Sequence, residues 1–233
     1  MFLSQISLVA CVALALLLNT SSVHRVNAQN QVRPDDFVYL TDYVDDAVLD
    51  IRYFSSYNFV GEKIDGYLAP KPMLTKPSAE ALAKAAKELR AQGYRIIVYD
   101  TYRPAKAVRH FIRFCEKDEN PGMKAEFFPR YEKNQLIPMG FISKKSGHSR
   151  GSTIDLGLVT MNSELVDMGG AFDYFDDVSY TNYPNLTEAQ KKNRAILRNA
   201  MLSAGFRGIK EEWWHFTLKG EPYPYKYFDF DVE

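Results

Sequence analysis

Apolar positions divide the 233-residue chain into a continuous hydrophobic head and a body of shorter periodic runs. Ile6 to Leu18 is almost wholly apolar. A membrane-spanning helix needs about 20 such residues, so this run is too short to cross a bilayer. Polar residues follow, then Val26-Asn27-Ala28, which has the spacing of an export cleavage site. The pattern predicts a signal peptide over residues 1–28, cleaved before Gln29. An uncleaved anchor is the competing reading, because no Lys or Arg precedes the apolar run. Lipoprotein processing at Cys11 is disfavoured, since the run continues past that residue.

In the body, residues 29–36 are polar and read as a loose tail. Val38 to Tyr53 carries short apolar runs with β-branched residues and predicts a strand or two. Ser78 to Gln92 reads as a helix, with Ser78 as its N-cap and Gly93 as its stop. Tyr94 to Tyr99 reads as a buried strand. Arg103-Pro104 opens a second helix that runs to about Glu116, with Pro104 where a first turn tolerates it. Thr153 to Val159 is a further strand. Thr187 to Ala204 is the clearest helix, because Thr187 and Gln190 have capping-box spacing and Gly205 follows. Trp214 to Leu218 makes a last short strand. Helices dominate early and strands late, without strict βαβ alternation. The expectation is α+β: one domain over residues 29–233, with a small, mostly antiparallel sheet flanked by helices.

Composition narrows the function. Lys plus Arg and Asp plus Glu both number 29, so the chain has no net charge. That balance gives no electrostatic case for nucleic acid or acidic lipid as a partner, and no stable membrane partner is expected once the signal is removed. Cys11 falls in the head, leaving Cys115 without a partner in the body. The body therefore forms no internal disulfide. Cys115 lies among Phe111, Ile112 and Phe114 and reads as a buried, inert thiol.

The chain has four histidines, and two of them fall in short stretches rich in other chemistry. Ser146-Gly147-His148-Ser149-Arg150-Gly151-Ser152-Thr153-Ile154-Asp155 offers an imidazole and a carboxylate. Glu212-Trp213-Trp214-His215 offers a second of each. Two His, one Asp and a spare Glu make up the set a catalytic zinc site needs: three ligands, a vertex for water and a nearby base. His148 and Asp155 are seven apart, and an odd separation on one strand would put them on opposite faces. We therefore place His148 on a loop that turns at Gly151, and Asp155 on the strand that follows. Glu212 and His215 are three apart, so a turn must aim both inward. Glu212 then sits within reach of the metal-bound water as general base. The plainer alternative keeps Glu212 as a solvated acid beside Glu211, and Trp213-Trp214 as ordinary core.

These stretches resemble a known family. His148-Ser149-Arg150-Gly151-Ser152-x-Ile154-Asp155-Leu156 is similar to the metal motif of the VanX-type D-alanyl-D-alanine dipeptidases, which are zinc D,D-peptidases. Glu212-Trp213-Trp214-His215 is similar to their base-and-ligand motif. Asp50-Ile51-Arg52-Tyr53, Asn58-Phe59-x-Gly61, Gly66-Tyr67, Tyr99-Asp100-x-Tyr102-Arg103-Pro104 and Met168-Gly169-x-x-Phe172-Asp173 extend the resemblance from about Asp42 to Tyr225.

The resemblance implies one Zn2+ per chain, held by His148, Asp155 and His215. It also implies hydrolysis of the free dipeptide D-Ala-D-Ala to two D-alanines. Glu212 would be the general base and Arg103 the cation that stabilises the tetrahedral intermediate. Ser146 would bind the substrate carboxylate and Asp173 its ammonium. Residue chemistry alone leaves Arg103 equally suited to a salt bridge with Asp100, and Asp173 to an acidic surface loop with Asp176 and Asp177. The competing functions are a D,D-carboxypeptidase that trims peptidoglycan peptides and a non-catalytic wall-binding relative. Family members linked to glycopeptide resistance act in the cytoplasm. An exported member points instead to scavenging or turnover of the dipeptide outside the inner membrane, whether periplasmic or secreted.

Overall fold

The computed structural model describes residues 32–117 and 119–233, so the expected signal peptide lies outside the described residues. Along the chain run β1 (Phe37–Tyr39), β2 (Val48–Leu49), β3 (Met73–Thr75), α1 (Lys76–Ala91), β4 (Tyr94–Asp100) and α2 (Ala105–Glu116). These are followed by the single-turn α3 (Lys124–Phe127), β5 (Thr153–Thr160), α4 (Glu188–Ser203), β6 (Phe206–Gly208) and β7 (His215–Leu218). Five strands form one sheet in the order β2-β4-β5-β7-β6. The β2–β4 pairing is parallel and the other three are antiparallel. β1 and β3 make a separate antiparallel pair. The fold is thus the expected α+β arrangement, a single domain with a small, mostly antiparallel sheet.

The sheet's centre is its most apolar part. β4 passes from half-buried Tyr94 into a buried run from Ile96 to Asp100, and β5 is buried from Thr153 to Val159. Both strands are paired on two sides, which suits their β-branched residues. α1 buries Ala79, Leu82, Ala86 and Leu89 at helical spacing and packs against α4 and β4. Burying each leucine contributes ~1.5–3 kcal/mol relative to leaving it in water.

Two helix starts separate a correct expectation from a wrong one. At α4, Thr187 Oγ1 accepts from Gln190 N (3.2 Å) and Gln190 Oε1 accepts from Thr187 N (3.0 Å), forming the expected capping box. Gly205 follows with φ +94°. Ser78, by contrast, does not cap α1. The helix begins at Lys76, with Pro77 in its first turn and Thr75 as the N-cap, because proline is preset for first-turn geometry. The buried Ser78 hydroxyl instead bonds Thr75 Oγ1 (2.9 Å), which bonds Ser152 Oγ (2.7 Å).

Two strands add to those expected. β3 and β6 were not legible, since three residues cannot display an alternation. Part of the supposed loose tail is tied down: Asp36 O accepts from Lys76 N (2.7 Å), and its carboxylate accepts from Tyr223 OH (2.9 Å). Cys115 is buried as expected, and burial pushes its thiol up to about 11.

The chain's end braces the functional region. Phe228 N donates to Ser149 O (2.8 Å), and Ala105 N donates to Phe228 O (2.9 Å). The buried Phe228 ring packs edge-on to Phe37, Tyr223 and Phe230. One apolar anchor therefore supports both the turn that carries His148 and the start of α2 beside Arg103. Among the described residues no helix is long and apolar enough to cross a membrane.

Candidate metal centre and substrate cavity

Three separate elements supply one cluster. His148 lies in a short 3-10 turn, Gly147–Arg150, which ends at Gly151 with φ +81°. Asp155 lies within β5 and His215 opens β7. The parity argument therefore holds: His148 is off the strand and Gly151 makes the turn.

Strand register does the rest. Asp155 pairs directly with His215 on one side and with Asp100 on the other. Direct cross-strand partners share a face, so these three side chains form a row across the sheet. A register shift between Val98 and Asp100 is what brings Asp100 into that row. An unbroken ladder would have put Tyr99 opposite Asp155.

His148 Nε2 lies 3.2 Å from Asp155 Oδ2 and 3.3 Å from His215 Nδ1, and His215 Nδ1 lies 3.0 Å from Asp155 Oδ1. Zinc bonds of ~2.0–2.1 Å in a tetrahedron give ligand–ligand edges of about 3.3 Å. The two imidazole nitrogens are already one such edge apart, each has an oxygen of Asp155 at a similar distance, and one ligand atom from each residue lies within 4.8 Å of the others; this is the one group of its kind among the described residues. The outer support fits as well. His148 Nδ1 donates to Thr101 O (2.7 Å), which leaves the Nε2 lone pair facing the cluster.

Burial lowers the His148 pKa and favours the neutral ring, against the pull of Asp155. Burial also opposes ionisation of Asp155. The charge and hydrogen bonds of His148 and His215 outweigh it, holding that carboxyl well below the usual range. For His215 burial works against charge, but Asp155 outweighs it and the ring's pKa is raised. A buried carboxylate between two imidazoles suits a cation.

Glu212 lies in the turn before β7, with Oε2 3.3 Å from His215 Nδ1. Burial pushes its carboxyl up to about 7, against the pull of His215. A carboxylate tuned near 7 suits a general base. Trp213 and Trp214 are both buried, so the pair is core, while its neighbours Glu212 and His215 line the cavity.

Arg103 makes the expected salt bridge and also stands on the cavity wall. Its Nε donates to buried Asp100 (2.8 Å), while Nη2 reaches Asp155 Oδ2 at 3.4 Å. The guanidinium lies over the Tyr53 ring, 4.9 Å from the centroid, and lines the cavity. The salt bridge thus fixes a cation beside the cluster. Ser146 also lines the cavity and caps the His148 turn, its Oγ accepting from His148 N (3.2 Å).

Asp173 is no surface acid. It is buried, has the left-handed φ of +59°, and accepts from Tyr53 OH at 2.7 Å. Burial pushes it up to about 8. Asp176 behaves differently, pairing with Arg130 (2.8 Å) away from the cavity. The cavity is about 260 Å³, with the His–Asp–His cluster, Arg103, Glu212 and Asp173 on its walls. Sequence reasoning gave no role to Tyr53 or the Thr101 carbonyl, and to Asp100 only the salt bridge with Arg103. Tyr53 stood in a resembling block, but only the fold reveals its partner Asp173.

The family model described as D-Ala-D-Ala dipeptidase, peptidase family M15, matches residues 33–233. The chain belongs to the D-Ala-D-Ala dipeptidase family. Within that family it is 37% identical to a D-alanyl-D-alanine dipeptidase of Enterococcus faecium, over 84% of this chain and 98% of the relative. A D-alanyl-D-alanine dipeptidase of Enterococcus faecalis is 39% identical over the same shares. One from Escherichia coli is 31% identical over 74% of this chain and 79% of its own length.

Proposed function

We propose that the protein is a zinc-dependent dipeptidase that hydrolyses D-alanyl-D-alanine to two D-alanines. The observation that carries this is the convergence of His148, Asp155 and His215 beside Glu212, in a dipeptide-sized cavity with Asp173 on its wall. His148, Asp155 and His215 would hold the zinc. When bound, the ion supplies a Lewis acid for the scissile carbonyl and lowers the pKa of water to ~7.

The chain's own groups divide the remaining work. Glu212 takes the proton from the attacking water and returns it to the leaving amine. Arg103, held by Asp100 through Nε and by Asp155 through Nη2, turns its guanidinium edge on the cavity wall to the developing oxyanion. Asp173, steadied by Tyr53, receives the substrate ammonium. Ser146 hydrogen-bonds the substrate carboxylate. Asp173 also supports a dipeptidase over a carboxypeptidase, because a buried carboxyl ionises readily only beside a cation, which a free ammonium supplies and an acylated amine does not.

Metal analysis of purified protein beside two cleavage assays tests this reading. The expected result is one zinc per chain, cleavage of free D-Ala-D-Ala, and no cleavage of an N-acylated D-Ala-D-Ala peptide. Preferential cleavage of the acylated peptide would make it a carboxypeptidase, and zinc without any hydrolysis would make it a binding protein.

The apolar run Ile6 to Leu18 and Val26-Asn27-Ala28 support export by a signal peptide of residues 1–28. The enzyme then turns over or scavenges wall-derived dipeptide outside the cytoplasm. Dipeptidase activity confined to the cytoplasmic fraction would defeat that placement.

A further inference from the structure

Arg194 is a buried cation on α4 that meets carbonyls instead of a carboxylate. Its Nε donates to Met168 O (2.6 Å), its Nη2 to Val178 O (2.7 Å) and its Nη1 to Tyr180 O (2.7 Å). Burying a guanidinium is costly unless its donors are met, and a planar fork meets several acceptors in one fixed geometry. All three acceptors belong to one irregular segment between β5 and α4, so a single side chain closes that segment across its length.

Neighbours on α4 reinforce the clamp. Asn193 Nδ2 donates to Asp167 O (2.8 Å), and Gln190 Nε2 donates to Asp167 Oδ2 (2.9 Å). Between the clamped ends stands Asp173, in its left-handed conformation and facing the cavity. The same fork grips the carbonyls on either side of Ser179, whose own carbonyl accepts from Trp213 N (3.0 Å). The Arg194 guanidinium lies over the Trp213 ring, 5.7 Å from its centroid.

We infer that Arg194 is a positioning residue for the dipeptide site: by tying Met168, Val178 and Tyr180 together it presents Asp173 to the substrate ammonium. This rests on the ammonium-binding role of Asp173 given above. The competing anchor is Phe172, stacked on Tyr99 at 4.7 Å, which could seat Asp173 without help.

The test uses the zinc-loaded full chain carrying Arg194→Met, Arg194→Lys or Asn193→Ala. Its readouts are zinc content, kcat, KM for D-Ala-D-Ala, and inhibition by acetohydroxamate, a metal-seeking ligand with no ammonium. Arg194→Met is expected to raise KM about tenfold while kcat stays within about threefold. Zinc content and hydroxamate inhibition stay at wild-type values. Arg194→Lys, with a charge but no fork, falls between wild type and Arg194→Met. Asn193→Ala moves KM the same way by less. In an Asp173→Asn background, Arg194→Met adds little further rise, because both changes act through one contact.

A wild-type KM in the Arg194 variants overturns the inference. So does a joint fall of zinc content, kcat and hydroxamate binding, which marks a merely structural arginine. Should Arg194→Met not fold, Arg194→Lys and Asn193→Ala decide by the same criteria. If Asp173→Asn alone leaves KM unchanged, the ammonium reading itself fails. If it raises KM while the Arg194 variants do not, only the present inference is lost.

Discussion

The Tyr53 hydroxyl donates to Asp173 Oδ2 at 2.7 Å, joining residues 120 positions apart in a buried pair. Both groups resist ionisation. Burial first, then the Asp173 charge, raises the Tyr53 pKa, and burial carries Asp173 up to about 8. A carboxyl kept at such cost to folding has a use that folding does not explain.

That cost has a definite sign. Asp173 holds its proton in the folded state up to about pH 8, whereas the unfolded chain releases it near pH 4. The folded state therefore binds more protons across this window, and stability falls as pH rises through it. In chelator-treated protein, Asp173→Asn removes the penalty. It is expected to gain ~1–3 kcal/mol at pH 8 and almost nothing at pH 4. Asn still accepts from Tyr53 and tolerates the left-handed φ. In the zinc enzyme the same change raises KM, because the ammonium loses its anion. Urea denaturation at the two pH values checks the first half; equal pH slopes for variant and wild type would sink it.

Glu212→Gln separates metal binding from catalysis. The side chain keeps its shape beside His215, and His148, Asp155 and His215 are untouched. Zinc content should therefore stay at the wild-type value while kcat drops ~10²–10⁴-fold, the usual loss of a positioned base. Metal analysis and turnover on one preparation decide the matter; a variant that loses zinc as well would show Glu212 to be a ligand.

How much of this could be read beforehand depends on the range of the interaction. The α4 capping box needs only Thr187 and Gln190, three residues apart, so it was legible. The off-strand position of His148 followed from strand parity and the glycine at 151. Register was not legible: a bulge at Tyr99 puts Asp100 opposite Asp155, and nothing in the run Tyr94 to Asp100 signals it. The α1 start was a local choice between two signals, in which Pro77 outweighed Ser78 and drew the helix two residues ahead. The burial of Asp173, like the register, was hidden by range, because its partner Tyr53 lies far away in sequence.

Arg103 makes two kinds of contact that substitution can separate. Nε belongs to Asp100, a fully buried acid whose pKa is raised by burial and restrained by this arginine. Nη2 reaches Asp155, and the guanidinium lines the cavity. Arg103→Lys keeps a cation near Asp100 but gives up the fork. It should fold near wild type, lose ~10²–10³-fold in kcat, and change KM little, as for a contact made in the transition state. Arg103→Ala should also lose stability, since it strands the Asp100 charge. Steady-state kinetics and thermal melts on the pair check this. A KM effect that exceeds the kcat effect would move Arg103 from the transition state to ground-state binding.

Gly151 offers the sharpest test of how backbone geometry reaches the metal centre. Its φ of +81° closes the turn: its N–H donates to His148 O (3.0 Å), and its carbonyl accepts from Thr75 N (2.7 Å). A Cβ there would run into the Phe37 ring, itself packed by Tyr102, Phe228 and Phe230. Gly93 has almost the same φ, +86°, but open space around it. Gly93→Ala thus measures backbone strain alone, about 1 kcal/mol. Gly151→Ala adds overpacking and should cost ~2–4 kcal/mol. Because the His148 turn must shift to relieve the clash, zinc affinity should fall in Gly151→Ala and stay unchanged in Gly93→Ala. Competition with a zinc-chelating dye reads the affinity. If the two variants hold zinc equally, the turn at Gly151 does not set the position of His148.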